Sequence, residues 1–82
     1  MSTQEITREQ IEQVVVESLS AFGADAAEIT PEASFLALDI DSLDLAELSQ
    51  IVHEQFGVEL KGSDVAEIKT VGQAVDLIAS RT

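Results

Sequence analysis

Leu45, Leu48, Val52 and Phe56 recur at steps of three and four residues and stop at Gly57, the spacing of one buried stripe on a helix. A second set, Ile11, Val14, Val15, Leu19 and Phe22, repeats the pattern, with Glu9, Glu12, Gln13 and Glu17 mostly off that face and Gly23 as a stop. In a chain of 82 residues, two such stripes can be covered only by each other and by a few short elements. That requirement excludes most architectures before any motif is considered.

Local signals supply the remaining elements. Thr7-Arg8-Glu9-Gln10 has the Thr-x-x-Gln form of a capping box and opens helix 1 after a frayed start over residues 1–6. Residues 23–40 have no long period; Gly23, Asp25, Thr30, Pro31 and Ser34 punctuate a loop. Ala26-Ala27-Glu28-Ile29 offers a turn, and Ile29, Phe35, Leu36 and Leu38 are expected to tuck inward and order the loop over the core. Helix 2 begins near Asp41 or Ser42 and runs to about Phe56; Val58 and Leu60 then continue inward. Gly62-Ser63-Asp64 opens a short helix 3 through Ile68, anchored by Val65 and Ile68. Thr70-Val71-Gly72-Gln73 is a second capping box, leading into helix 4 with Val71, Ala74, Val75 and Ile78 on one side. Strand-type alternation is nowhere sustained, and no internal repeat is present. The predicted fold is all-α: a small four-helix bundle, three longer helices and one short, with a long loop between helices 1 and 2, in a single domain over 1–82.

Composition narrows function by exclusion. With no cysteine, disulfides, thiolate metal sites and thiol nucleophiles are ruled out. Sixteen acids against four bases give a net charge of −12, which repels nucleic acid and anionic membrane and favours partners with basic patches. Three Phe and no Trp or Tyr leave no stacking platform for bases. No apolar run spans a bilayer, and Met1-Ser2-Thr3-Gln4-Glu5 lacks the basic and apolar regions of a signal peptide, so a cytoplasmic location is expected. The same chain length and the start at Met1 lead to the expectation of a discrete protein, although an excised domain would look the same; a monomer is expected.

Catalytic constellations are few. A Ser-His-Asp site needs a histidine within reach of Ser42, but His53, the one histidine, lies about 16 Å away along the same helix at 1.5 Å per residue. It reads as a solvated surface residue. An EF-hand loop starting at Asp39 would require an oxygen ligand, a glycine and a glutamate where Leu43, Asp44 and Gln50 stand. No glycine-rich phosphate loop is present, and paired carboxylates are uninformative in so acidic a chain. No metal site and no catalytic residue are assigned. Ser42 is left. Its bland role is a helix cap, but Asp41 can cap equally well. Leu43 falls off the buried stripe, and beside an exposed hydroxyl on an acidic helix it suggests a docking patch.

Asp41-Ser42-Leu43-Asp44-x-x-Glu47-Leu48 resembles the phosphopantetheine attachment signature of acyl carrier proteins. The similarity continues without gaps through Phe56-Gly57-Val58-Glu59-Leu60 to Ile68-x-Thr70-Val71. It also takes in the helix 1 pattern and Ala33-Ser34-Phe35-Leu36, hence nearly the whole chain. The resemblance implies a non-catalytic carrier whose Ser42 receives 4′-phosphopantetheine from coenzyme A, moved by a phosphopantetheinyl transferase that supplies base and metal. Asp41 has a supporting role, helping to orient Mg²⁺ in that complex. The arm's thiol holds acyl groups as thioesters in fatty acid or polyketide-type synthesis. Helix 2 becomes a recognition helix, with Leu43, Asp44, Glu47, Gln50, Ile51 and Glu54 facing basic patches on acyl-processing enzymes; a merely solvated face is the alternative. The opposite side, with Leu48, Val52, Phe56, Ile68, Val71 and Val75, packs the core and could part to shelter an acyl chain. Competing readings are a peptidyl or aminoacyl carrier and, from another class, an unmodified acidic adaptor for a basic partner.

The chain also departs from the family pattern. Many members have glycine where Asp39 stands, so this loop gains a charge and loses a relaxed backbone position. Ala46 and Gln50 replace larger apolar residues, and Lys61-Gly62-Ser63 is less acidic than the usual approach to helix 3. These departures bear on partner identity.

Overall fold

The computed structural model describes residues 6–82; of the frayed start expected over residues 1–6, residues 1–5 lie outside the described residues. In order come α1 (Arg8–Ala21), a 3₁₀ turn (Ala26–Glu28), α2 (Ser42–Phe56), α3 (Gly62–Glu67) and α4 (Val71–Ser80). The fold is an all-helical bundle, with α1 packed against both α2 and α4.

Each long helix starts where a side chain replaces missing backbone partners. Thr7 Oγ1 accepts from the Gln10 N–H at 3.2 Å, and Gln10 Oε1 accepts the Thr7 N–H at 2.9 Å. Thr70 and Gln73 repeat this reciprocal pair at the head of α4. At the end of α2, Gly57, at φ +70°, adopts the left-handed conformation that lets its N–H return to the His53 carbonyl at 2.8 Å.

The core takes Ile11, Val15 and Leu19 from α1, Leu48 and Val52 from α2, and Val71, Ala74, Val75 and Ile78 from α4. Phe35, Leu38, Ile40, Val58 and Ile68 close it from the connecting segments. Phe56, expected in the core, is half-buried at its edge, as is Phe22; Val14 is half-buried. Helix 3 ends one residue sooner than expected, with Ile68 buried as its C-cap.

The long loop is ordered by more than its apolar residues. Ser34 and Thr70 form one antiparallel bridge. Around it, Phe35 N–H donates to the Lys69 carbonyl (3.0 Å), Val71 N–H to Ala33 (3.0 Å) and Gly72 N–H to Pro31 (2.9 Å). The approach at Gly72 is close enough that a Cβ there would meet the Pro31 oxygen at 2.9 Å. Beyond the bridge the chain turns tightly: Ser34 Oγ accepts the Ala37 N–H at 3.0 Å, and Ile40 N–H donates to the Phe35 carbonyl at 2.9 Å. This turn corrects one expectation. Phe35 and Leu38 are buried and Ile29 half-buried, but Leu36 is 87% exposed, because a turn that seats residues 35, 38 and 40 leaves residue 36 outside.

Candidate functional site

Ile40 is buried immediately before Asp41, and Leu48 is buried one turn into α2 beyond the half-buried Leu45. Between these anchors Asp41, Ser42 and Leu43 stand in solvent, and Leu43 is 77% exposed.

Capping falls to Asp41. Its Oδ1 accepts the Asp44 N–H at 2.9 Å, and Asp44 Oδ2 accepts the Asp41 N–H at 3.4 Å. The Asp41 carbonyl takes the Leu45 N–H at 3.0 Å. Ser42 is therefore the first helical residue and not the cap. Among the described residues its hydroxyl has no hydrogen-bond partner, and the N–H groups of Ser42 and Leu43 likewise have none there. A free hydroxyl and two free N–H groups at the positive end of a helix suit a phosphate ester.

Ser42 also borders an open groove of about 680 Å³ between α2 and α3. Leu45, Ala46 and Ser49 form one side; Leu60, Gly62, Val65 and Ala66 form the other. Ala46, one of the departures noted in the sequence, is a small residue in this wall. A more enclosed hollow of about 150 Å³ lies between α1, Pro31 and α4, lined by Val16, Ile29 and Val75, and includes none of the Asp41–Leu43 stretch. Ser42 lies on the groove and not on this hollow.

The six residues assigned to the outer face of α2 divide into two groups. Leu43, Glu47, Gln50 and Glu54 are exposed at helical steps of three and four. Asp44 and Ile51 are half-buried, and the Asp44 carboxylate is partly engaged by the cap. His53 is exposed in the last turn of α2, at the end opposite Ser42.

The structure adds a backbone angle at Asp39 and a side-chain pair at Arg81. Asp39 has φ +60°, the one left-handed non-glycine among the described residues, which accounts for the fit of glycine at this point of the loop. Arg81, at the end of α4, forks onto Asp64 of α3: Nη1 donates to Oδ2 at 2.7 Å and Nη2 to Oδ1 at 2.9 Å. The Arg81 fork and the Lys61 N–H hold the Asp64 carboxyl down at about 2, and the same contact moves Arg81 further up its cationic range. No local motif announces a pair 17 residues apart.

Comparison with known proteins decides the family. The profile described as "Phosphopantetheine attachment site" matches residues 9–78. The acyl carrier protein of Rubrobacter xylanophilus is 44% identical over 73 residues, covering 87% of this chain and 90% of the relative. That of Solidesulfovibrio magneticus is 39% identical over 74 residues, covering 89% and 91%. The chain belongs to the acyl carrier protein family. Among solved structures, the acyl carrier protein from Enterococcus faecalis is similar at a TM-score of 0.79 and 32% identity, covering 94% of this chain and all of the other. Membership makes the chain a carrier with 4′-phosphopantetheine as its covalent prosthetic group. An acyl carrier protein needs an accessible nucleophilic hydroxyl for that group, and the unbonded Ser42 Oγ at the head of α2 fits the requirement. No helix among the described residues is long and apolar enough to cross a membrane.

Proposed function

We propose that Ser42 carries the phosphopantetheine arm and that the protein presents acyl groups, held as thioesters on the arm's terminal thiol, to enzymes of fatty acid or polyketide-type synthesis. The observation that carries this reading is the freedom of the Ser42 hydroxyl. Asp41 has taken over the capping, so Ser42 Oγ is exposed and unbonded at the first residue of α2.

Each neighbour has a definable task. The unpaired N–H groups of Ser42 and Leu43, together with the α2 dipole, favour a phosphodiester on the Ser42 oxygen. His53, the one histidine, sits at the end of α2 opposite Ser42, and a phosphopantetheinyl transferase would bring base and Mg²⁺. Asp41 Oδ2, left over by the Oδ1 cap bond, is available to that metal in the complex. Leu43 would seat in an apolar hollow of the partner, with Glu47 and Glu54 on its basic rim, Gln50 between them, and Asp44 and Ile51 stiffening the base of the face. In this reading the chain is a single carrier domain acting as a cytoplasmic monomer, and its charge of −12 disfavours nucleic acid and anionic membrane.

Intact mass after incubation with coenzyme A, Mg²⁺ and a broad-specificity phosphopantetheinyl transferase tests the proposal. The wild-type protein should gain one phosphopantetheine and Ser42→Ala none. Addition that survives Ser42→Ala would refute the assignment.

A further inference from the structure

α3 is six residues long, too short to persist without tertiary support, and none of its residues is fully buried. Its helical hydrogen bonds with the flanking residues are few: Val65 N–H to the Lys61 carbonyl at 3.0 Å and Ile68 N–H to that of Asp64 at 3.3 Å. Yet Val65 and Ala66 form one side of the groove that opens beside Ser42. The position of α3 sets the width of that groove, and something outside α3 must hold it.

Buried Ile68 holds the C-terminal end of α3, and Arg81 reaches its first turn. Its guanidinium grips both oxygens of Asp64, at 2.7 and 2.9 Å, and Nη1 also donates to the Glu59 carbonyl at 3.1 Å. One planar group thus ties the end of α4 to α3 and to the segment entering it. A carboxylate engaged in this way loses orientational freedom that a single point contact would leave. Asp64 is also the residue whose Oδ2 accepts the Lys61 N–H at 3.0 Å, so the fork acts on the first turn of α3 itself. The Asp64 side chain is only 17% exposed, more sheltered than the carboxylates of the Arg8 ion pairs. Among the described residues the Arg81 guanidinium hydrogen-bonds to Glu59 and Asp64, neither of which lines the groove; it is a positioning residue.

We propose that Arg81 latches α3 in place and thereby sets how far the groove beside Ser42 opens around a chain tethered there. The second half rests on the assignment of the arm to Ser42; the first does not. Arg81→Gln keeps a polar side chain but removes the charge and the fork, and Arg81→Lys keeps the charge with one point of contact. In the apo protein, hydrogen exchange at the Val65 and Ile68 amides should rise about fivefold or more in Arg81→Gln, less in Arg81→Lys, with α1 amides such as Val15 nearly unchanged. General destabilisation would instead raise exchange in α1 and α3 together. In the holo protein carrying a straight-chain acyl thioester, cleavage by hydroxylamine should run about twofold or more faster in Arg81→Gln, because the open groove shields the thioester less. Unchanged α3 exchange, or exchange that rises equally in α1, would overturn the latch. A local rise in exchange with unaltered thioester cleavage would overturn its link to the groove. If the wild-type protein takes up no arm, the assignment to Ser42 falls, and the apo exchange alone decides whether Arg81 holds α3.

Discussion

Asp39 sits at φ +60° without a side-chain hydrogen bond among the described residues, three positions before Ser42. An L-residue pays a steric penalty in that region because its Cβ crowds the following carbonyl, and a β-branched residue pays more than the unbranched aspartate. Asp39→Gly should therefore raise the unfolding free energy by about 0.5–1 kcal/mol, while Asp39→Val should lower it by about 1 kcal/mol or more. Urea unfolding of the three proteins checks the order, and equal midpoints would contradict a left-handed residue here. The resemblance to carrier proteins exposed Asp39 as an anomaly, but only the backbone angle explained it. Leu36 shows the limit from the other side. Its apolarity predicts burial, and nothing in an aperiodic turn reveals that residues 35, 38 and 40 face inward while 36 faces out.

Among the elements, α2 is legible in the sequence because its determinants are local: a cap, a stripe at helical spacing and a glycine stop. Leu48 and Val52 of the stripe are buried, and Leu45 and Phe56 half-buried. The sequence left the cap open between Asp41 and Ser42, and the bond from the Asp44 N–H to Asp41 Oδ1 resolves it. Asp41→Ala should cost about 1 kcal/mol of stability, against less than about 0.5 for Ser42→Ala. The opposite ranking in denaturant titrations would assign the cap to Ser42 and weaken its availability for attachment. On the outer face, Glu47→Lys should slow acyl transfer by about threefold or more at low salt, with helicity by circular dichroism unchanged and the deficit shrinking as salt is added. Equal rates at low salt would leave the α2 acids as a solvated surface. The short α3 was legible from Gly62-Ser63-Asp64, although the force that holds it was not.

At the level of the whole molecule, sixteen acids in a small bundle repel one another, and two of the four bases are committed to internal pairs: Arg8 with Glu12 and Asp76, Arg81 with Asp64. Only distant parts of the sequence meet in the Asp64 pair, so periodicity and capping rules cannot foresee it. Its consequence is an acid-sensitive contribution. Asp64 titrates at about 2 when folded against an ordinary 3.8, so the unfolded chain binds protons first as pH falls. The stabilisation is complete above the ordinary value and disappears as the pH drops through about 2. Stability measured across that window should fall more steeply in the wild-type protein than in Asp64→Asn; identical slopes would show that the pair does not persist in solution.

The central claim concerns one oxygen atom. Peptide mapping by tandem mass spectrometry, after enzymatic loading from coenzyme A, locates the added group among the eight serines of the chain. The account predicts phosphopantetheine on the fragment ion containing Ser42 and on no other. Its appearance on a different serine, or its absence from a protein shown to be folded, would contradict the account.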